Sequence, residues 1–175
     1  MEFAVEMLRQ MIPALKKLHD LGFSHGDIKH ENICARYTRN GDLKFTLIDF
    51  GVSSRLAQLG QDMRNKRFRG NLNFASPEHI MNRRASRVDD LYSLLCVGYK
   101  FVFNWLPWEE YLEKMYKCNP EANYIFSMKE VTKIRVKQMR SFEKKLINKG
   151  RELSNLFEYI RKMRARKNRR DDDLK

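Results

Sequence analysis

Along residues 4–21 the apolar positions Ala4, Val5, Leu8, Met11, Ile12, Leu15, Leu18 and Leu21 recur at intervals of three and four, which gathers them on one face of an amphipathic helix. Gly22 predicts where that helix ends, and Pro13 predicts a kink within it, because proline removes a backbone donor and crowds the preceding turn. The period then changes. Residues 32–37 and 43–49 are β-favouring and flank Arg39-Asn40-Gly41-Asp42, whose Asn-Gly pair is a strong hairpin-turn signal. Residues 52–76 are polar, basic and weakly periodic, the pattern of a long loop that a compact domain retains for function. Helices dominate afterwards: a short one over 77–82, a central one over 88–103 that is apolar nearly all round, a short one over 108–116, and two more within 129–167. From residue 164 the chain is almost wholly charged, and residues 166–175 are expected to form a disordered tail. The pattern predicts a mainly α fold with one small β-hairpin and no internal repeat.

The 175 residues suffice for one domain with its own core, without disulfides or a structural metal. The cysteines, Cys34, Cys96 and Cys118, are odd in number and widely spaced; they read as reduced packing residues of an intracellular protein, cytoplasmic or nuclear. The N-terminus lacks the basic start and apolar block of a secretion signal. The most apolar stretch, 91–108, is broken by Lys100, Asn104 and Pro107, so no membrane span is expected. Net charge is +13, and residues 129–170 hold 16 Lys/Arg against 4 Asp/Glu. Such a run attracts nucleic acid, anionic membrane or acidic protein, or is simply a solvated helix face, and charge alone does not name the partner.

The densest chemistry is His25-Gly26-Asp27-Ile28-Lys29-His30-Glu31-Asn32, between the first helix and the hairpin, followed by Asp49-Phe50-Gly51 after the second strand. Each tripeptide alone is a weak signal, and chance loop sequence is the alternative for each. In this order, with a hairpin between, they match protein-kinase motifs. Phosphoryl transfer needs an aligned acceptor hydroxyl relieved of its proton, charge neutralisation on the transferred group, and metal bridging the phosphates. Asp27 is the candidate to orient the hydroxyl and accept its proton. Lys29 is placed to reach the transferred phosphate, and Asn32 and Asp49 offer oxygen ligands to Mg²⁺.

Further motifs extend the match. The run Arg69-Gly70-Asn71-Leu72-Asn73-Phe74-Ala75-Ser76-Pro77-Glu78 resembles the end of a kinase activation segment, with Ser76-Pro77-Glu78 in place of Ala-Pro-Glu. Arg87-Val88-Asp89-Asp90-Leu91-Tyr92-Ser93-Leu94 and Leu106-Pro107-Trp108 resemble the casein kinase 1 group. The His-Gly-Asp form is similar to the vaccinia-related kinases, and Phe68-Arg69-Gly70 with the Asp-Asp-Leu helix to the tau-tubulin kinases. Over residues 2–165 the chain therefore resembles the C-terminal lobe of a serine/threonine protein kinase, without the N-terminal lobe. The resemblance implies a catalytic loop at 25–32, an activation segment at 49–78 and a helical subdomain at 79–165. It also implies ATP and Mg²⁺ as cofactors, with Lys29, Asn32 and Asp49 contacting them. His25 and Glu78 become structural supports, and Asp90 braces the backbone of the catalytic loop, a role whose plain alternative is a helix N-terminal charge. Asn71 departs from the family, which usually has a threonine bridging the catalytic Asp and Lys. Gly26 removes an arginine that in many kinases pairs with a phosphorylated loop.

The expected partners are a protein substrate, acidic or already phosphorylated, received by Arg64, Lys66, Arg67 and Arg69 unless these are solvated loop charges, and a missing N-lobe or partner chain docking on an exposed apolar patch. Without a glycine-rich loop and strand lysine, little transfer is expected from the chain alone. Three functions follow: a serine/threonine kinase, a kinase-like interaction module that transfers nothing, and, ranked last, a basic nucleic-acid-binding protein, which lacks any accompanying recognition signature.

Overall fold

The computed structural model describes residues 2–58, 67–82, 84–118, 124–149 and 151–172. Helix α1 spans Glu2–Asp20 and buries Ala4, Leu8, Met11 and Leu15 of the predicted stripe together with Met7, which the spacing did not include, while Val5 and Leu18 are half-buried and Ile12 and Leu21 exposed. It runs through the exposed Pro13 as one element. It ends where the Gly22 amide donates to the His19 carbonyl and Gly22 takes φ +85°, a left-handed cap that glycine adopts without steric cost. Strands β1 (Phe23–Ser24), β2 (Ile33–Tyr37), β3 (Leu43–Leu47) and β4 (Ser54–Arg55) make two antiparallel pairs, β1 with β4 and β2 with β3.

The β2–β3 hairpin pairs Ile33 with Leu47, Ala35 with Phe45 and Tyr37 with Leu43. Its turn closes through the Gly41 amide to the Thr38 carbonyl, with Gly41 at φ +83°. Gln10 of α1 fastens the edge of β3: its Oε1 accepts from the Phe45 amide at 3.0 Å and its Nε2 donates to the Leu43 carbonyl at 2.9 Å. A side-chain amide thereby satisfies an edge that would otherwise need another strand. The β1–β4 pair was not foreseen, since two residues carry no readable period; its β4 half lies within the expected loop, whose residues 59–66 are outside the described set.

Helices α2 (Pro77–Asn82), α3 (Arg87–Phe103), α4 (Glu109–Cys118), α5 (Tyr124–Lys149) and α6 (Arg151–Asp172) complete the fold. α3 is its axis: every residue from Val88 to Tyr99 is buried. Ser86 and Asp89 form a reciprocal capping box at its start, which satisfies amides that have no partner within the helix. α1 and α6 pack on α3, and α5 packs on α2. Gly98 permits the close approach of α6, because a Cβ there would meet Leu153 Cδ2 at 2.8 Å. Each fully buried leucine or phenylalanine of this core contributes about 1.5–3 kcal/mol. α6 is helical through Asp172, and residues 173–175 of the charged tail lie outside the described residues. Arg and Lys are good helix formers, and the helix they extend is anchored by buried Leu153, Leu156, Phe157 and Ile160. No helix among the described residues is long and apolar enough to cross a membrane.

Candidate functional site

Residues 25–32 leave β1 as a loop and close in a 3₁₀ turn at His30–Asn32. Three buried groups hold the loop's beginning. Asp90, in the first turn of α3, accepts from the His25 amide at 2.8 Å and the Gly26 amide at 2.9 Å, and its Oδ2 lies 2.9 Å from His19 Nε2. With Asp90 only 1% exposed, these charge-assisted bonds compensate its desolvation. The His25 ring bridges two segments: Nδ1 accepts from the Asp27 amide at 3.2 Å, so the proton resides on Nε2, which donates to the Ile48 carbonyl at 3.1 Å. That bond ties the loop to the residue before Asp49.

The loop turns the Asp27 carboxylate into a cluster with Lys29 and Asn32. Asp27 Oδ2 lies 2.9 Å from Lys29 Nζ and accepts from Asn32 Nδ2 at 3.2 Å. Asn32 Nδ2 also donates to the Asp27 carbonyl at 2.9 Å, which leaves its Oδ1 as the remaining side-chain acceptor. Asp27 Oδ1 is buried and has no hydrogen-bond partner among the described residues. The hydrogen bond it donates to Asp27 holds the Lys29 ammonium above the ordinary lysine value, against desolvation and with help from the charges of Asp27, Glu31 and Asp49.

Asp49 is built differently. It is exposed, adopts φ +61°, and folds its Oδ1 back onto the Gly51 amide at 3.1 Å. Phe50 is half exposed, with its ring 5.0 Å from that of His25. Arg69 crosses from the far end of the segment to donate to the Gly51 carbonyl at 3.1 Å. Among the described residues no group of three or more His, Cys, Asp or Glu side chains is placed to hold a metal. The Asn32 amide oxygen and the Asp49 carboxylate are nevertheless hard donors of the kind Mg²⁺ takes while keeping water and phosphate oxygens in its other positions.

Sequence reasoning missed three supports. Gly70, at φ +130°, lies against the 25–32 loop so tightly that a Cβ would meet the Gly26 carbonyl at 2.7 Å. Arg135 of α5 is fully buried. Its Nη1 donates to the Leu72 carbonyl at 2.8 Å and to the Ala75 carbonyl, and its guanidinium lies 4.3 Å from the Trp108 ring centroid. Carbonyls and an aromatic face thus compensate a buried cation. The available signal was an arginine in the apolar phase of a helix, four residues after Val131 and seven before Phe142. Trp108 adds Nε1–H to the Asn73 carbonyl at 2.9 Å.

The other expected residues fall as follows. Asn71 Oδ1 accepts from the Asn73 amide at 2.9 Å. Ser76 Oγ donates to Asp89 and accepts from the His79 amide, and burial pushes the His79 imidazole below its ordinary value. Glu78 is exposed in the first turn of α2. Arg67 and Arg69 are exposed, while Arg64 and Lys66 lie outside the described residues.

Residues 2–167 match the protein kinase domain family. Similar curated proteins include casein kinase 1-like protein HD16 of Oryza sativa subsp. japonica, 39% identical over 109 residues, covering 58% of this chain and 15% of that protein. A probable serine/threonine-protein kinase of Dictyostelium discoideum is 33% identical over 109 residues, covering 60% and 22%. 3-Phosphoinositide-dependent protein kinase 1 of Homo sapiens is 32% identical over 106 residues, covering 59% and 18%. The alignments thus span between 15% and 22% of these relatives' own lengths.

Proposed function

We propose that this chain, which belongs to the protein kinase family and has the fold of that family's C-terminal lobe, supplies the catalytic loop of a serine/threonine kinase that transfers the ATP γ-phosphate to protein hydroxyls. The observation that carries the reading is Asp27, with one carboxylate oxygen held by Lys29 and Asn32 and the other buried without a partner among the described residues. An unsatisfied buried acceptor costs about 1–3 kcal/mol, a cost that an acceptor hydroxyl donating to Oδ1 removes.

In this reading Asp27 Oδ1 orients the substrate hydroxyl and takes its proton as the hydroxyl oxygen bonds to the γ-phosphorus and the bond from that phosphorus to the β,γ-bridging oxygen breaks, with ADP leaving with its electron pair. Lys29, kept protonated by Asp27, meets the charge on the transferred phosphoryl oxygens. Asn32 and Asp49 would hold Mg²⁺. Mg·ATP supplies the phosphoryl group and neutralises the charge that develops on it. The loop 25–32, the segment 49–78 and the helical part 79–165 are the functional divisions. The exposed Arg67 and Arg69 favour an acidic or phosphorylated protein substrate.

The test uses a tag placed after residue 175 at the native locus, so that the product is recovered as the cell makes it. With Mg·ATP and casein, the expected result is phosphoserine or phosphothreonine whose formation falls at least about a hundredfold with Asp27→Asn. Transfer that survives the substitution removes Asp27 from the reaction. Absence of transfer by the unsubstituted product favours a kinase-like interaction module instead.

A further inference from the structure

A cavity of about 590 Å³ opens between α1, α3 and α6, a volume in the range of small-molecule sites. Its body is apolar: Leu91 and Leu156 are buried, Met163 is half-buried, and Ile12 and Tyr159 remain 37% and 54% exposed. None of the residues assigned to phosphoryl transfer lines it. Its polar lining includes two cations and one carboxylate. Lys16 pairs with Asp20 at 2.5 Å, while Arg87 donates one Nη to the His19 carbonyl at 3.2 Å and keeps an exposed side chain. The rim is therefore net positive over an apolar interior, a combination that complements a small amphipathic anion. The apolar body leaves water, and the head gains a charge-assisted bond.

The cavity is also joined to the catalytic loop. His19 lines it and bonds through Nε2 to Asp90, whose carboxylate receives the His25 and Gly26 amides. A ligand that shifts the His19 ring acts on the group that holds the start of the loop.

We propose that the cavity between α1, α3 and α6 binds a small amphipathic carboxylate, with its apolar body against Leu91, Leu156 and Tyr159 and its head at Arg87 and Lys16, and that occupancy reaches the catalytic loop through His19 and Asp90. This inference stands without any phosphoryl transfer, so it is tested by binding alone. The 175-residue chain is titrated with octanoate, decanoate and decanol, with affinity read by calorimetry and location by amide NMR. Burial of two further methylenes predicts that decanoate binds about fifteenfold tighter than octanoate. Decanol binds more weakly than decanoate. Arg87→Gln lowers the affinity for decanoate towards that of the alcohol, and Met163→Trp, which fills the cavity, weakens both. The His25 and Gly26 amide signals move together with those of Leu156 and Tyr159. Affinity independent of chain length, which marks attraction to the basic surface alone, overturns the site. Equal binding of decanol and decanoate overturns the anionic head, and unmoved His25 and Gly26 signals overturn the link to the loop.

Discussion

The loop at 25–32 and the turn at 49–51 sit side by side at the open end of the β2–β3 hairpin, one entering β2 and the other leaving β3, and are built in opposite ways. In the loop, a buried carboxylate from α3 fixes two backbone amides, His25 bridges to Ile48, and Asn32 returns to Asp27. In the turn, Asp49 is exposed at positive φ and among the described residues its side chain bonds to an amide two residues away, with Arg69 reaching across to Gly51. The group that would handle a proton is therefore positioned before any ligand arrives, whereas the group that would handle a metal is held by local contacts. The difference follows from what each must do. A general base works when its geometry is already organised, while a bound Mg²⁺ would bring its own coordination demands to a carboxylate held by local contacts.

The largest break in this contrast comes from Asp90→Ala. It strips three buried groups of their acceptor at once and is expected to cost about 3 kcal/mol or more in urea unfolding. A loss below about 1 kcal/mol would show that the loop holds itself without α3. Next is Gly70→Ala, which adds a Cβ 2.7 Å from the Gly26 carbonyl at a backbone conformation that suits only glycine. About 1–3 kcal/mol of destabilisation is expected, with displaced Gly26 amide signals, and an unchanged melting temperature would mean that the segment yields freely.

A subtler effect concerns Lys29. Its folded-state value lies above the ordinary one, so the ion pair with Asp27 contributes stability that is full below the ordinary lysine value and lost as pH rises through the raised one. Asp27→Asn removes this alkaline dependence and lowers the Lys29 titration in side-chain NMR; a lysine that titrates identically in both proteins would refute the pairing. The smallest effect is expected at the turn. Asp49→Asn should change stability by no more than about 0.5 kcal/mol, because the site is exposed and asparagine tolerates left-handed backbone. Asp49→Val, β-branched at positive φ, should cost more in the same unfolding assay. Equal costs for the two would show that the positive φ is not retained.

Much of this molecule could be read from neighbouring residues. The α1 stripe, the Asn-Gly turn, the apolar α3 and the order of Asp27, Lys29, Asn32 and Asp49 are written within spans of a few residues, and helix faces, turns and a loop motif are themselves that local. Composition alone reports the charged tail's affinity for water, whereas a helix already anchored by buried side chains extends into good helix formers.

The remaining features depend on partners far along the chain. Nothing near Asp90 distinguishes a helix-start charge from a brace; its partners His25 and Gly26 lie 65 and 64 residues away. Arg135 reads locally as one more cation of a basic helix, and only packing brings it to carbonyls 60 and 63 residues earlier and to the Trp108 ring. Gly70 reads as loop glycine until the fold presses it on Gly26. Side-chain chemistry and short-range period are local properties of a chain, so residue order carries them directly. Which buried polar group meets which partner is settled by how helices pack, and the cost of leaving any such group unpaired makes that outcome specific.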